Sequence, residues 1–157
     1  APSFLDSKIH HNNLLNNILA KIQANHAGAD DAVMLDDRGF LAETNATNLF
    51  LVKDSVLCTP HAHACLPGIT RAYTLDLAGR LGISVKEGDF SLTELYTADE
   101  AFTTGTMGGL AHITQVDGRS IGEGPGTGPG PVTQRLQEVY AQHIPCTPLP
   151  FLAKGEQ

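Results

Sequence analysis

Only three cysteines occur in the 157 residues, Cys58, Cys65 and Cys146. An odd number without paired spacing excludes a disulfide scaffold and implies a reducing, intracellular setting, with the cytoplasm as the expected location. Basic residues are also few. Ten Lys and Arg against seventeen Asp and Glu leave a net charge of −7, which argues against nucleic acid or anionic membrane as a partner, because both need clustered positive charge. No apolar run approaches the roughly 20 residues of a membrane span. Repeats and low-complexity tracts are absent, and the Gly/Pro stretch at 122–131 has no Gly-Lys-Ser/Thr of a nucleotide P-loop. With 41% apolar and 17% charged residues, the composition is that of a globular domain able to bury roughly two-thirds of its unfolded surface.

Apolar periodicity divides the chain into alternating helices and strands. Asn13 to Asn25 reads as a helix with Leu14, Ile18 and Ile22 on one stripe beside Leu15 and Leu19, and Gly28 ends it. Ala32–Leu35 and Phe40–Glu43 flank a turn and suggest a hairpin, and Asn48–Lys53 and Val56–Thr59 a second one around Asp54-Ser55. A helix over Ile69–Leu81, with Ala72, Leu75, Ala78 and Leu81 facing inward, leads to a strand at Ile83–Lys86. Ser91 and Glu94 form the capping-box pattern of a short helix to Tyr96. Strands at Ala98–Thr104 and Leu110–Val116 flank a glycine turn, and a last helix carries Val132, Leu136, Val139 and Tyr140 on its apolar face. Residues 145–157 read as a tail. This mixture predicts an α/β fold, a sheet with helices packed outside it.

Four short segments carry candidate chemistry. Lys8 precedes the first helix, where partial desolvation would lower the amine's pKa and make it nucleophilic toward aldehydes. Glu43 ends a strand ahead of Thr44, Asn45 and Thr47. A carboxylate held there could keep a heterocyclic nitrogen protonated, or it could make a turn salt bridge while Asn45 and Asn48 close local Asx turns. In Cys65–Ala72, Gly68 lets a ligand approach the backbone, and the free N–H groups of Ile69 and Thr70, with the Thr70 hydroxyl, suit a phosphate. Phe102–Leu110 offers a similar donor set through Thr106 and the amides around Gly105. Cys58, His61, His63 and Cys65 have the types of a metal site, but no second cluster completes one, and packing is the expected role.

In this order the segments resemble the class IV pyridoxal-phosphate aminotransferases, the branched-chain and D-amino-acid aminotransferase group, over about Leu5 to His143. GADDAVMLDDRGFLAETNATNLFLV, LPGITR and LTELYTADEAFTTGT are the specific parts. The resemblance implies the C-terminal domain of that fold, a curled sheet or pseudo-barrel with outer helices, spanning 1–144. It makes Lys8 the Schiff-base lysine and Glu43 the partner of the pyridine nitrogen of pyridoxal 5′-phosphate. Leu66 would pack on the ring, Gly68, Ile69, Thr70 and Thr106 would hold the phosphate, and the Met107 amide would help hold the substrate carboxylate.

The implied reaction is transamination between an amino acid, a branched-chain L-amino acid first, and a 2-oxo acid such as 2-oxoglutarate. D-amino acids, an aminodeoxychorismate-type elimination or a non-catalytic domain are the alternatives. Two departures bear on this. The Asn-Tyr pair usual after the lysine is replaced by Asn12-Asn13, and Gly109 and His112 stand where many members have Glu and Pro. The family's N-terminal domain is not in this sequence, so the chain looks like one part of a two-domain enzyme, with a homodimer expected.

Overall fold

The computed structural model describes residues 6, 9–10, 12–122 and 128–143. Lys8, the stretch 123–127 and the expected tail at 145–157 lie outside them.

A five-stranded sheet organises the domain. Its strands are β3 (Asn48–Lys53), β4 (Val56–Pro60), β5 (Val85–Gly88), β6 (Glu100–Gly105) and β7 (Gly109–His112), in the order β5-β4-β3-β6-β7. All neighbours are antiparallel except β4 and β5, which run parallel. The parallel pair requires a crossover, and α2 (Ile69–Arg80) supplies it. The β3–β4 connection is tight because Asp54 and Ser55 both take left-handed φ, 49° and 63°, the backbone of a two-residue hairpin turn.

Strand alternation sorts the core into two layers. From β3, Phe50 and Val52 join Leu57, Phe102 and Leu110 on one face, which Leu77 and Ala78 of α2 and Leu136 of α4 (Pro131–His143) cover. Phe50 and Phe102 stack there at 5.0 Å between ring centroids. Leu49 and Leu51 point the other way with Cys58 and Ala101, toward Leu41, Phe90, Leu95 and Ile121. That second face is closed by small pieces: the ribbon β1 (Val33–Leu35) with β2 (Leu41–Thr44), the short helix α3 (Leu92–Tyr96), and the ribbon β8 (Gln115–Val116) with β9 (Arg119–Ser120). Helices outside one face and curled ribbons over the other give the α/β architecture expected from the sequence.

Helix ends follow local chemistry. Gly28 at φ 72° stops α1 (Leu15–His26), while Ala29 N–H reaches back to Ala24 C=O, a Schellman-type closure. Ser91 and Glu94 form both halves of the capping box on α3. The Glu100 carboxylate, at the start of β6, accepts from Val132 N–H at 3.0 Å and Thr133 N–H at 2.8 Å, tying the N-terminus of α4 to the sheet.

Four expectations are corrected. Ala72 is exposed, and Thr70, Arg71, Thr74, Leu77 and Ala78 form the buried side of α2, because the helix sits over β6 with a more polar stripe than apolar spacing alone selects. The strand after α2 starts at Val85, two residues later than predicted. The stretch read as one strand to Val116 is broken after His112, and Gln115–Val116 leaves the large sheet to pair with β9 across the turn at Asp117 and Gly118, φ 48° and 77°. The largest difference is α1. Leu15, Ile18, Leu19 and Ile22 are 60%, 53%, 56% and 44% exposed, and Ala24 is the buried residue of the helix. Both sheet faces are already filled by other elements, so this stripe finds no room in the domain's own core. Asn17 Nδ2 donates to Asn45 C=O at 3.0 Å, and Lys21 pairs with Asp31 at 3.7 Å, which together hold α1 beside the β1–β2 ribbon.

Candidate active site

Glu43 sits in β2 opposite Met34, half-buried, and takes no part in the ion pairs among the described residues. Burial pushes its carboxyl up from the usual carboxylate value to about 7, against the opposing pull of a backbone hydrogen bond from Leu66. A carboxyl so placed is poised to gain a cationic partner, since a nearby positive charge would restore its ionised form.

The next peptide, Leu66–Pro67, is held as well. Its carbonyl accepts from Asn48 Nδ2 at 2.9 Å and from Gly68 N–H at 2.9 Å. The turn through Pro67 therefore has a fixed plane, and Gly68 follows as the N-cap of α2. Gly68 has φ −60° and ψ 141°, values open to any L-residue, so glycine is required for space instead of for backbone freedom. A Cβ built at Gly68 would overlap Asn48 Oδ1.

No side chain caps α2 and no acidic residue lies in its first turn. Its leading amides thus stay available to an anion, and the helix dipole adds to their pull. Arg71, although in that first turn, faces away: its guanidinium donates to Pro60 C=O at 2.9 Å and to Glu87 at 2.5 Å, anchoring the helix to β4 and β5.

The second donor segment is joined to the first through β3. Asn48 pairs with Thr104 across the β3–β6 ladder, and a Cβ at Gly105 would stand 3.1 Å from Thr47 Cγ2. Thr104 is buried, and its Oγ1 has no hydrogen-bond partner among the described residues. Thr106 and Met107 lie exposed in the β6–β7 turn, Met107 completely so, and Ile69 is 81% exposed at the head of α2 while Thr70 is buried.

Of the sequence candidates, Glu43, Leu66 and Gly68 therefore come together at one turn, and Thr70 follows in the first turn of α2. Ile69, Thr106 and Met107 stand at its open rim, and Lys8 lies outside the described residues. Asn48 was missed as a site residue. The alternative of local Asx turns fails for both asparagines: Asn45 Oδ1 accepts from the distant Ala32 N–H at 2.8 Å, and Asn48 reaches across 18 positions to Leu66. The available signal was the polar first residue of an otherwise apolar strand. Cys65 is buried, its thiol pushed up to about 11 by burial and the nearby Glu43. His61 and His63 are exposed, rings 5.1 Å apart.

An α/β domain that sets a half-buried carboxylate beside an uncapped helix N-terminus has the equipment to hold a small ligand that carries a cation at one end and an anion at the other. The family follows from comparison with known proteins. The sequence model of the amino-transferase class IV family matches residues 1–116, and the chain belongs to that family.

It is 58% identical over 140 residues to branched-chain-amino-acid aminotransferase-like protein 2 of Arabidopsis thaliana, covering 89% of this chain and 24% of that protein. To the branched-chain-amino-acid aminotransferase of Pseudomonas aeruginosa it is 46% identical over 126 residues, 80% of this chain and 40% of the relative. A crystal structure of the T.th. branched-chain amino acid aminotransferase with pyridoxamine 5′-phosphate superposes with a TM-score of 0.84 at 38% identity, over 90% of this chain and 46% of that one. The chain thus spans less than half the length of these relatives. Among the described residues no helix is long and apolar enough to cross a membrane.

Proposed function

We propose that this chain is the cofactor-binding part of a pyridoxal 5′-phosphate-dependent aminotransferase that exchanges amino groups between a branched-chain L-amino acid and a 2-oxo acid such as 2-oxoglutarate. The observation that carries the reading is the Leu66–Gly68 turn, whose backbone passes beside the half-buried Glu43 carboxyl and leads into the uncapped start of α2. A pyridine ring with a phosphate arm presents the two charges this pair of groups would favour. The substrate class is supported by the names of the Pseudomonas aeruginosa and T.th. relatives.

The residues present suit the cofactor. Glu43 is half-buried with its carboxyl up to about 7, and a protonated ring nitrogen against it would hold it ionised by a charge-assisted hydrogen bond. The amides of Ile69 and Thr70, with the Thr70 and Thr106 hydroxyls, would donate to the phosphate, and Gly68 keeps the approach to that helix end open. Leu66 would pack on the ring and exclude water from one side. The Met107 amide would orient the substrate carboxylate. When bound, the cofactor draws off the electron pair left as the α-C–H bond breaks. Lys8 would tether the cofactor through its Nζ and, once released by substrate, carry the α-proton at that nitrogen. In this reading residues 1–144 form the cofactor-binding domain, 145–157 a tail, and a further domain and a second subunit complete a cytoplasmic homodimer.

The test uses the whole protein to which this chain belongs. Added pyridoxal phosphate should give a visible absorption band that borohydride fixes onto the peptide carrying Lys8, and Lys8→Ala should remove it. Leucine, isoleucine and valine should then release their oxo acids with 2-oxoglutarate as acceptor. The absence of a band with wild-type protein would refute the reading.

A further inference from the structure

The turn between β6 and β7 is open at its tip and pinned at both feet. Thr106, Met107 and Gly108 are exposed, and a Cβ on Gly108 would meet nothing within 4 Å. Gly105 and Gly109 pair across the ladder at its base. A Cβ on Gly105 would stand 3.1 Å from Thr47 Cγ2, and one on Gly109 would stand 3.3 Å from Tyr140 Cε1 and 3.8 Å from Tyr140 Cδ1. Gly109 has φ 61°, the left-handed residue that closes a three-residue hairpin loop. Its backbone and the space beside it therefore both favour glycine.

The two supports are themselves fixed. Thr47 Oγ1 lies 2.7 Å from Thr44 Oγ1 at the end of β2. Tyr140 is half-buried on α4, and its ring meets Tyr73 of α2 edge-to-face at 5.8 Å between centroids. On the same helix Gln137 Nε2 donates to Leu110 C=O at 2.9 Å, next to Gly109. Tyr73 lies one helical turn beyond Ile69 and Thr70. A single ring thus links the opening turns of α2 to one foot of the β6–β7 turn.

Resting on the function proposed above, we propose that Tyr140 is a positioning residue that holds the Thr106 turn in register with the start of α2, so that the two donor segments meet one phosphate. Tyr140 acts through Gly109 and is not among the groups that would touch the cofactor. A short loop with an exposed tip has little packing of its own, so its direction depends on its feet. Removing the ring frees one foot, while the ladder and Thr47 keep the other. The Thr106 hydroxyl then has to be ordered as an anion binds, which weakens that binding.

The test compares Tyr140→Phe, Tyr140→Leu and Tyr140→Ala in the whole protein. Tyr140→Phe keeps the ring carbons that face Gly109. Tyr140→Leu keeps apolar bulk on α4 but lacks the ε carbon nearest Gly109, and Tyr140→Ala removes both. In cofactor-free protein, backbone ¹⁵N order parameters of residues 106–108 should match wild type in Tyr140→Phe and fall in the other two. Kd for pyridoxal phosphate should rise by about tenfold in Tyr140→Ala, the scale of one weakened hydrogen bond to a charged group. Kd for phosphate-free pyridoxal should stay at the wild-type value, whereas general loosening of the domain would weaken both ligands alike. Tyr140→Phe should bind both as wild type does.

Unchanged order at 106–108 in Tyr140→Ala, or in Tyr140→Leu where the alanine variant does not fold, would overturn the assignment. Equal losses for the two ligands, or a Tyr140→Phe as weak as Tyr140→Ala, would overturn it as well. If wild-type protein fails to bind pyridoxal phosphate, the proposed function falls, while the order of the turn still decides whether Tyr140 holds it.

Discussion

Replacing Glu43 by Gln in cofactor-free protein should make the domain more stable at pH 8 and leave it nearly unchanged at pH 5. The folded carboxyl sits at about 7 against an ordinary 4.5, with burial as the leading cause. Between those values the folded state holds a proton that the unfolded chain has released. Stability is then fully present below pH 4.5 and declines as pH climbs through 7. At about 1.4 kcal/mol per pH unit, the separation bounds the loss at about 3 kcal/mol. Glu43 is only half-buried, and remaining contact with water brings the expected figure to about 1–2 kcal/mol. Glutamine keeps the shape and the Leu66 contact but cannot ionise. Urea unfolding of both proteins from pH 5 to 8 isolates the effect as a difference, because all other titrating groups are shared. Parallel curves would show that ionising Glu43 costs nothing in the fold, and the argument for a site awaiting a cation would lose its physical basis.

Other consequences of the structure can be measured on the same protein. Leu136 is 0% exposed where α4 packs on the sheet, so Leu136→Ala should cost about 2–5 kcal/mol in urea unfolding. Glu100→Ala removes the acceptor of the Val132 and Thr133 amides. It should cost about 1–2 kcal/mol and speed hydrogen exchange at those two positions, which would remain slow if the cap were incidental. Ser91→Ala breaks the box that starts α3 and should lower stability by about 1 kcal/mol. Little change in Glu43 titration is expected from that last variant, since α3 touches the far end of the inner core.

Much of the fold was legible because local signals agreed with the final packing. Ser91 and Glu94 specify their cap within four residues, Asp54-Ser55 turns a hairpin between two apolar strands, and Gly28 stops α1. The parallel β4–β5 pairing was hidden, because no residue in either strand advertises a partner 28 positions away. The two site donors, LPGIT and TTGTM, were visible as glycine turns, yet their meeting depends on β3 lying between them. Asn48 escaped notice for the same reason. Its partner is remote, so the side chain looked like an ordinary turn former. The apolar stripe of α1 was legible as a pattern and misleading as to place, since periodicity reports that a face will be hidden without saying by what.

That ridge of isoleucine and leucine sets a practical condition on handling this polypeptide. Water ordered against so much aliphatic surface favours clumping, so material produced from these residues alone should come out of concentrated solution before it unfolds. Lysines substituted at Ile18 and Leu19 should keep it dispersed and leave the surroundings of Glu43 as they are.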